Sequence, residues 1–332
     1  MKIFISFFII SSLFLLYGDG MNDARLRFLA KKSGLKSVPK NYKELLKIVD
    51  ISENKLTAQK INLGRILFFE TLLSKDETIT CASCHKMGEG GDDNLPTAVG
   101  YKNRVNPKHL NSPTVLNAAL SKFLFWDGRA KSVEEQAGGP IQAQFEMNLT
   151  PKESVERLSK NQMYLDFFKE VFDGNITFEN IKKAIGAYEK TLLTRGKFDD
   201  FLDGDDKAIS KQAKKGLEIF IVNGCVKCHY GISLGGQSIE KFPKYKNSVF
   251  PFKNIGNFKG KDAKNLFRVP LLRNIMKTSP YYHNGEVKKL STVIRIESEY
   301  ETDKKLNKKQ IKSMIEFLKT LDGKLVDYGI EG

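Results

Sequence analysis

This chain of 332 residues has little cysteine, histidine or tryptophan: four, four and one. So few cysteines exclude a disulfide-dense scaffold. Alternating apolar and polar runs are scarce, which argues against an all-β architecture. The longest apolar run, Ile3 to Leu16, is too short for a comfortable membrane span. What is scarce is also concentrated. All four cysteines fall in two copies of one pattern, Cys81-Ala82-Ser83-Cys84-His85 and Cys225-Val226-Lys227-Cys228-His229, which also take up two of the four histidines.

Cys-x-x-Cys-His is the signature of covalent c-type haem attachment. Two thiols at this spacing add across the two vinyl groups of one porphyrin, and the adjacent imidazole serves as proximal iron ligand. The pattern therefore predicts two haems, held by Cys81, Cys84 and His85 and by Cys225, Cys228 and His229. A Cys-x-x-Cys pair alone could be half of a zinc site or a thioredoxin-like redox pair, and all four cysteines together could form a zinc cluster. Neither alternative accounts for a histidine directly after both pairs. With every cysteine spent on haem, none is left for a disulfide.

Met1 and Lys2, the apolar run and the small residues Gly18 and Gly20 read as a secretory signal peptide over residues 1–20, with an uncleaved anchor as the alternative. Export to the periplasm suits c-type haems, which are assembled outside the cytoplasm. The remainder, about 310 residues, is enough for two compact domains. The net charge of +15 comes from lysines spread along the chain, which reads as a solvated basic surface and not as a nucleic-acid site. Such a surface would steer an acidic or dipolar redox partner toward the protein at low salt.

Apolar residues recur at helical spacing over Lys43 to Val49, Thr57 to Thr71, Val155 to Leu158, Phe178 to Leu193, Lys211 to Ile221 and Lys309 to Leu321. The two haem motifs, 144 residues apart, are each preceded by a helix carrying a glycine and an aromatic: Leu63-Gly64 with Phe68, and Gly216-Leu217 with Phe220. The expected fold is mainly α, with few short strands and two cytochrome c-type haem domains packed across an interface. Their bounds are 21–196 and 197–332, with the Gly- and Asp-rich segment Arg195 to Asp206 as the boundary.

Between and beyond the motifs stand Asn111-Ser112-Pro113-Thr114-Val115-Leu116-Asn117, Phe125-Trp126-Asp127-Gly128-Arg129-Ala130, Gln136-Ala137-Gly138-Gly139-Pro140 and Glu146-Met147. Leu271-Leu272-Arg273-Asn274 and Pro280-Tyr281-Tyr282-His283-Asn284-Gly285 follow. In this order the segments resemble the bacterial di-haem cytochrome c peroxidases over most of the chain.

The resemblance implies that the first haem is the peroxide-reacting centre and the second receives electrons from a small c-type cytochrome or a similar donor. It implies Glu146 as acid-base catalyst and Gln136 as the residue that orients hydrogen peroxide. One carboxylate can take the proton from one peroxide oxygen and return it to the other. By the same resemblance, Trp126 lies between the haems on the electron path, and Arg129 is structural or paired with a haem propionate. A calcium ion would be held by the Asn111 side chain and the Thr278 and Pro280 carbonyls, a reasonable set of hard oxygen donors. Family members are often homodimers.

Three positions depart from the pattern. The family's capping histidine for the first iron commonly follows Gly100, where this chain has Tyr101; His109, two residues before Asn111, is the other candidate. Asn-Pro usually stands shortly before the glutamate, but here the residues are Gln142-Ala143-Gln144-Phe145, so a different loop geometry is expected. The methionine that caps the second iron, fourteen residues after the histidine, is Glu297; Met276 and Met314 are read as loop or core. The second haem is therefore expected to be capped by oxygen, from Glu297 or Tyr300, or by no protein ligand, and to run at lower potential. That leaves three readings: a peroxidase, a non-catalytic di-haem electron carrier or accessory protein, and a di-haem oxidase of a partner protein.

Overall fold

The structure, a computed structural model, describes residues 21–245 and 249–330, so the signal peptide expected over residues 1–20 lies outside the described residues. Twelve α-helices among them carry the fold. They are α1 (Asp23–Lys32), α2 (Tyr42–Val49), α3 (Ala58–Phe68), α4 (Cys81–Cys84), α5 (Val133–Gln142) and α6 (Pro151–Leu158), then α7 (Gln162–Phe172), α8 (Phe178–Glu189), α9 (Lys197–Leu202), α10 (Lys211–Val222), α11 (Leu290–Glu301) and α12 (Lys308–Lys319). Six strands of two or three residues form three antiparallel pairs: β1 (Val99–Gly100) with β2 (Arg104–Val105), β3 (Thr194–Gly196) with β6 (Gly323–Leu325), and β4 (Ile239–Lys241) with β5 (Leu266–Arg268). This is the mainly α, strand-poor fold expected.

Helix starts follow local chemistry. Thr57, Ser132, Thr177, Ser210 and Asn307 each accept a backbone N–H of the first turn, satisfying donors that the helix itself leaves free. In each half one glycine then lets two helices cross backbone to backbone. A Cβ on Gly64 of α3 would lie 1.9 Å from the Ala184 carbonyl oxygen of α8, and one on Gly216 of α10 would lie 2.0 Å from that of Ser313 on α12. The aromatics that follow, Phe68 and Phe220, stand 6.5 and 6.4 Å from the rings of His85 and His229.

A second repeat joins the segments around Trp126 and His283. Asn117 and Asn274 both adopt left-handed backbone, as do Phe125 and Tyr282, and Gly128 and Gly285. Bridges Leu124–Ala130 and Tyr281–Val287 close the two loops, and α5 and α11 follow at the same distance. Trp126 and His283 thus occupy matching places. Asn117 and Asn274 meet on one residue, each donating its Nδ2 to Thr194 Oγ1 at 2.8 Å.

The first core gathers Leu63, Phe68, Tyr164, Phe168 and Ile185 around α3, α7 and α8; the second gathers Phe198, Leu217, Phe220 and Phe317 around α9, α10 and α12. Two features cross the division expected from the sequence. Leu26 and Ala30 of α1 pack into the second core, although residues 21–196 were expected to form the first domain. The expected boundary, Arg195 to Asp206, includes α9, and Asp199 there forms a fully buried bidentate ion pair with Arg273, both bonds at 2.8 Å.

Candidate active site

The single turn α4 places Cys81 and Cys84 on one face, three residues apart. The chain then folds back, His85 N–H donating to the Cys81 carbonyl at 3.0 Å. A 3₁₀ turn over Cys225–Lys227 makes the second copy, with His229 N–H on the Cys225 carbonyl at 2.9 Å. Each ring is oriented by a carbonyl that can only accept: His85 Nδ1 donates to Gly91 O at 3.2 Å, and His229 Nδ1 to Leu234 O at 3.1 Å. Both Nε2 lone pairs are therefore left for a metal.

These groups face two cavities, of about 310 and 290 Å³. Cys81, Cys84 and His85 line the first; Cys225, Cys228 and His229 line the second. A zinc cluster pooling all four thiols is thereby excluded, and among the described residues no group of three or more His, Cys, Asp or Glu is arranged to hold a metal ion. Burial pushes the thiol of Cys81 well up, those of Cys84 and Cys225 to about 12, and that of Cys228 to about 11. Such neutral thiols are the opposite of a thioredoxin-like nucleophile. Paired thiols, a pre-oriented imidazole and an apolar cavity of this kind fit a covalently held haem.

Gln136, Pro140 and Glu146 share the first cavity with His85. Helix α5 contains Pro140 and ends at Gln142, and a tight turn follows in which Glu146 N–H donates to Ala143 O at 2.9 Å and Met147 N–H to Pro140 O at 3.1 Å. The β1–β2 hairpin clamps this turn from outside. A Cβ on Gly100 would lie 2.2 Å from the Phe145 carbonyl oxygen, and Tyr101 N–H donates to Glu146 O at 2.7 Å. Burial raises the Glu146 carboxyl above its usual range, and the Arg129 guanidinium partly offsets this. Arg129 lines the same cavity, with its Nη1 on both oxygens of Asp127 at 2.9 and 3.0 Å. Neither Tyr101 nor His109 is among the lining residues; Tyr101 instead buttresses the Glu146 turn through its backbone.

The second cavity holds Glu297 of α11, pushed up to about 7 by burial. Tyr300 does not line it, whereas Tyr282 does. The Tyr282 hydroxyl is buried beside Glu297, near enough for each to shift the other but short of a well-formed hydrogen bond. Met314 borders this cavity while packing in the second core, and Met276 packs against that core from outside the cavity wall.

Trp126, His283 and Arg268 join the two sites. Trp126 and Arg268 line both cavities. The indole Nε1 donates to Asn111 O at 2.8 Å, and the ring meets His283 edge to face at 6.3 Å. His283, a residue that sequence reasoning used only as a landmark, stacks on Phe267 at 4.8 Å and donates from Nε2 to Asn254 Oδ1 at 2.8 Å. Asn111 is committed three times: its N–H to His283 O, its carbonyl to Trp126, and its Nδ2 to Leu95 O at 2.7 Å. Thr278 and Pro280 stand on the loop after β5, Pro280 following a cis peptide bond.

Comparison with known proteins shows the family. Residues 58–207 match the family model described as di-haem cytochrome c peroxidase. The chain is 39% identical over 287 residues to cytochrome c551 peroxidase of Pseudomonas aeruginosa, covering 83% of this chain and 82% of that one. It is 38% identical over 276 residues to cytochrome c551 peroxidase of Nitrosomonas europaea, covering 82% of each. In fold it is similar to a MauG-like protein associated with microbial copper homeostasis, with a TM-score of 0.73 at 23% identity, covering 89% of this chain and 96% of that one. With relatives 39% and 38% identical over 83% and 82% of its length, the chain belongs to the di-haem cytochrome c peroxidases, oxidoreductases of the peroxidase type.

Proposed function

We propose that the protein reduces hydrogen peroxide to water in the first cavity, with electrons from a small c-type cytochrome that enter at the second. The observation that carries this reading is the meeting of Glu146, Gln136 and His85 on one apolar cavity. When bound, haem supplies the redox chemistry that splits the O–O bond. Two electrons and two protons turn one peroxide into two waters. Glu146 takes the proton from one peroxide oxygen and returns it to the other, which leaves as water. Its burial brings its pKa toward the working pH, where proton exchange is most efficient. Gln136 orients the peroxide by hydrogen bonding.

The second cavity is edged by the exposed lysines Lys227, Lys241, Lys244 and Lys304. This rim suits an acidic face on the donor and makes association sensitive to salt. Trp126, on the wall of both cavities, lies on the path between them. Glu297, on the wall of the second cavity, would cap the second haem with oxygen in place of thioether sulfur, which would lower its potential. Calcium at Asn111, Thr278 and Pro280, a periplasmic location and a homodimer complete the reading. Among the described residues no helix is long and apolar enough to cross a membrane.

Glu297 in the place of methionine favours a second reading, in which the fold serves as a di-haem electron carrier or oxidises a partner protein. Steady-state peroxide reduction with a reduced small c-type cytochrome separates the two. Donor-dependent turnover that falls as salt rises is expected. Turnover no higher than that of Glu146→Ala, with both haems loaded, rejects the peroxidase reading.

A further inference from the structure

Arg268 is buried without a counter-charge. It ends β5 at 2% exposure, its N–H donating to Trp126 O at 2.9 Å and its Nε to Phe125 O at 3.1 Å. These bonds fix the near side of the guanidinium. On the far side Nη1 is buried with no hydrogen-bond partner. Among the described residues no carboxylate is paired with Arg268; the Trp126 ring at 5.6 Å offers a π face, which does not neutralise the charge. A buried cation left in this state is costly, so the site calls for an anion. The guanidinium fork matches a carboxylate in two-point geometry.

Its place says which carboxylate. Arg268 borders both cavities, and each haem carries two propionates. Arg129, the other arginine on the first cavity wall, is already paired with Asp127 and has a side chain 56% exposed, so it does not fill this role. We propose that Arg268 is a shared propionate anchor, binding one carboxylate from each haem and holding the two porphyrin edges in register across Trp126. This assignment rests on the two-haem reading but not on the peroxide chemistry. A fixed positive charge near both irons favours the reduced state of each, so removing it lowers both midpoint potentials.

A redox titration of Arg268→Gln beside the wild-type holoprotein tests the idea. Both potentials are expected to fall, and Arg268→Lys, which keeps the charge, is expected to restore them in large part. A shift at one haem only, or at neither, overturns the proposal. A crystal structure of the wild-type holoprotein gives an independent answer should the glutamine variant not accumulate. A propionate oxygen from each haem within hydrogen-bond distance of the guanidinium is expected; contact with one haem or none overturns the assignment. A haem-to-protein ratio below two in the wild type would instead place the failure in the two-haem reading.

Discussion

Helices α5 and α11 begin after matching loops, and the eighth residue of each faces a cavity: Pro140 in the first, Glu297 in the second. Proline cannot donate to the helical ladder, and α5 ends two residues later. The chain then turns back to deliver Glu146 from a loop clamped by Gly100 and Tyr101. With no proline, α11 runs on to Glu301 and presents Glu297 directly from its wall. The same scaffold thus places an acid in both cavities, one on an interrupted helix and one on a continuous helix. The two acids therefore reach their cavities from different backbone supports, a clamped loop and a helix wall.

The largest effect should come from exchanging the acids separately. Glu146→Gln is expected to lower steady-state peroxide turnover by about 10²–10⁴-fold, the usual contribution of a general acid-base group. Glu297→Gln should leave the pre-steady-state reaction with peroxide within a few fold of the wild-type rate. Stopped-flow spectroscopy on the two holoproteins measures this, and equal losses would erase the distinction between the cavities. Next in size is Glu297→Met, which restores the thioether. The second haem's potential should rise by on the order of 100 mV with that of the first unchanged, as axial ligand identity dictates. An unmoved potential in a redox titration would mean that residue 297 does not reach the iron.

The sequence made one side of this comparison more legible than the other. Haem attachment was readable because Cys-x-x-Cys-His is local, and the glycine-aromatic repeat because it lies on regular helices. Helices α8, α10 and α12 were found close to their observed bounds, since their apolar stripes are regular. Helix α5 was missed, because Gly138, Gly139 and Pro140 read as a breaker although they lie within its last turns. Helices α1, α7, α9 and α11 were not read either. The match between Trp126 and His283 was hidden because these two residues differ, although Asn117 and Asn274, and Gly128 and Gly285, recur at the same offset in the sequence. Arg268 gave no signal at all: a lone arginine shows its missing partner only when its surroundings are known.

A smaller effect tests whether the two halves are built alike. Gly64→Ala and Gly216→Ala each force a methyl group into a facing carbonyl, at 1.9 and 2.0 Å. Overpacking of this kind costs about 1–3 kcal/mol or more, with backbone contacts at the upper end. The two variants should lose similar stability in thermal or chemical denaturation. A large loss at one site alone would show that the helix crossings are not equivalent.

A pH-dependent effect concerns Glu189, the last residue of α8, on the wall of the first cavity. Burial, with a further contribution from the charge of Glu134, pushes its carboxyl up to about 8. The unfolded chain would ionise it near 4.3, so between about 4.3 and 8 the folded state holds a proton that the unfolded state has released. Stability must therefore fall as pH rises through that window, at no more than about 1.4 kcal/mol per pH unit. Glu189→Gln cannot titrate and should escape this loss. Denaturation of the two holoproteins at pH 5, 6.5 and 8 should show the variant gaining on the wild type at each step, while a constant gap would mean that the carboxyl ionises normally. The second cavity offers the control: Glu301, also pushed up to about 8, remains in both proteins, so its contribution cancels and the difference reports the first cavity alone.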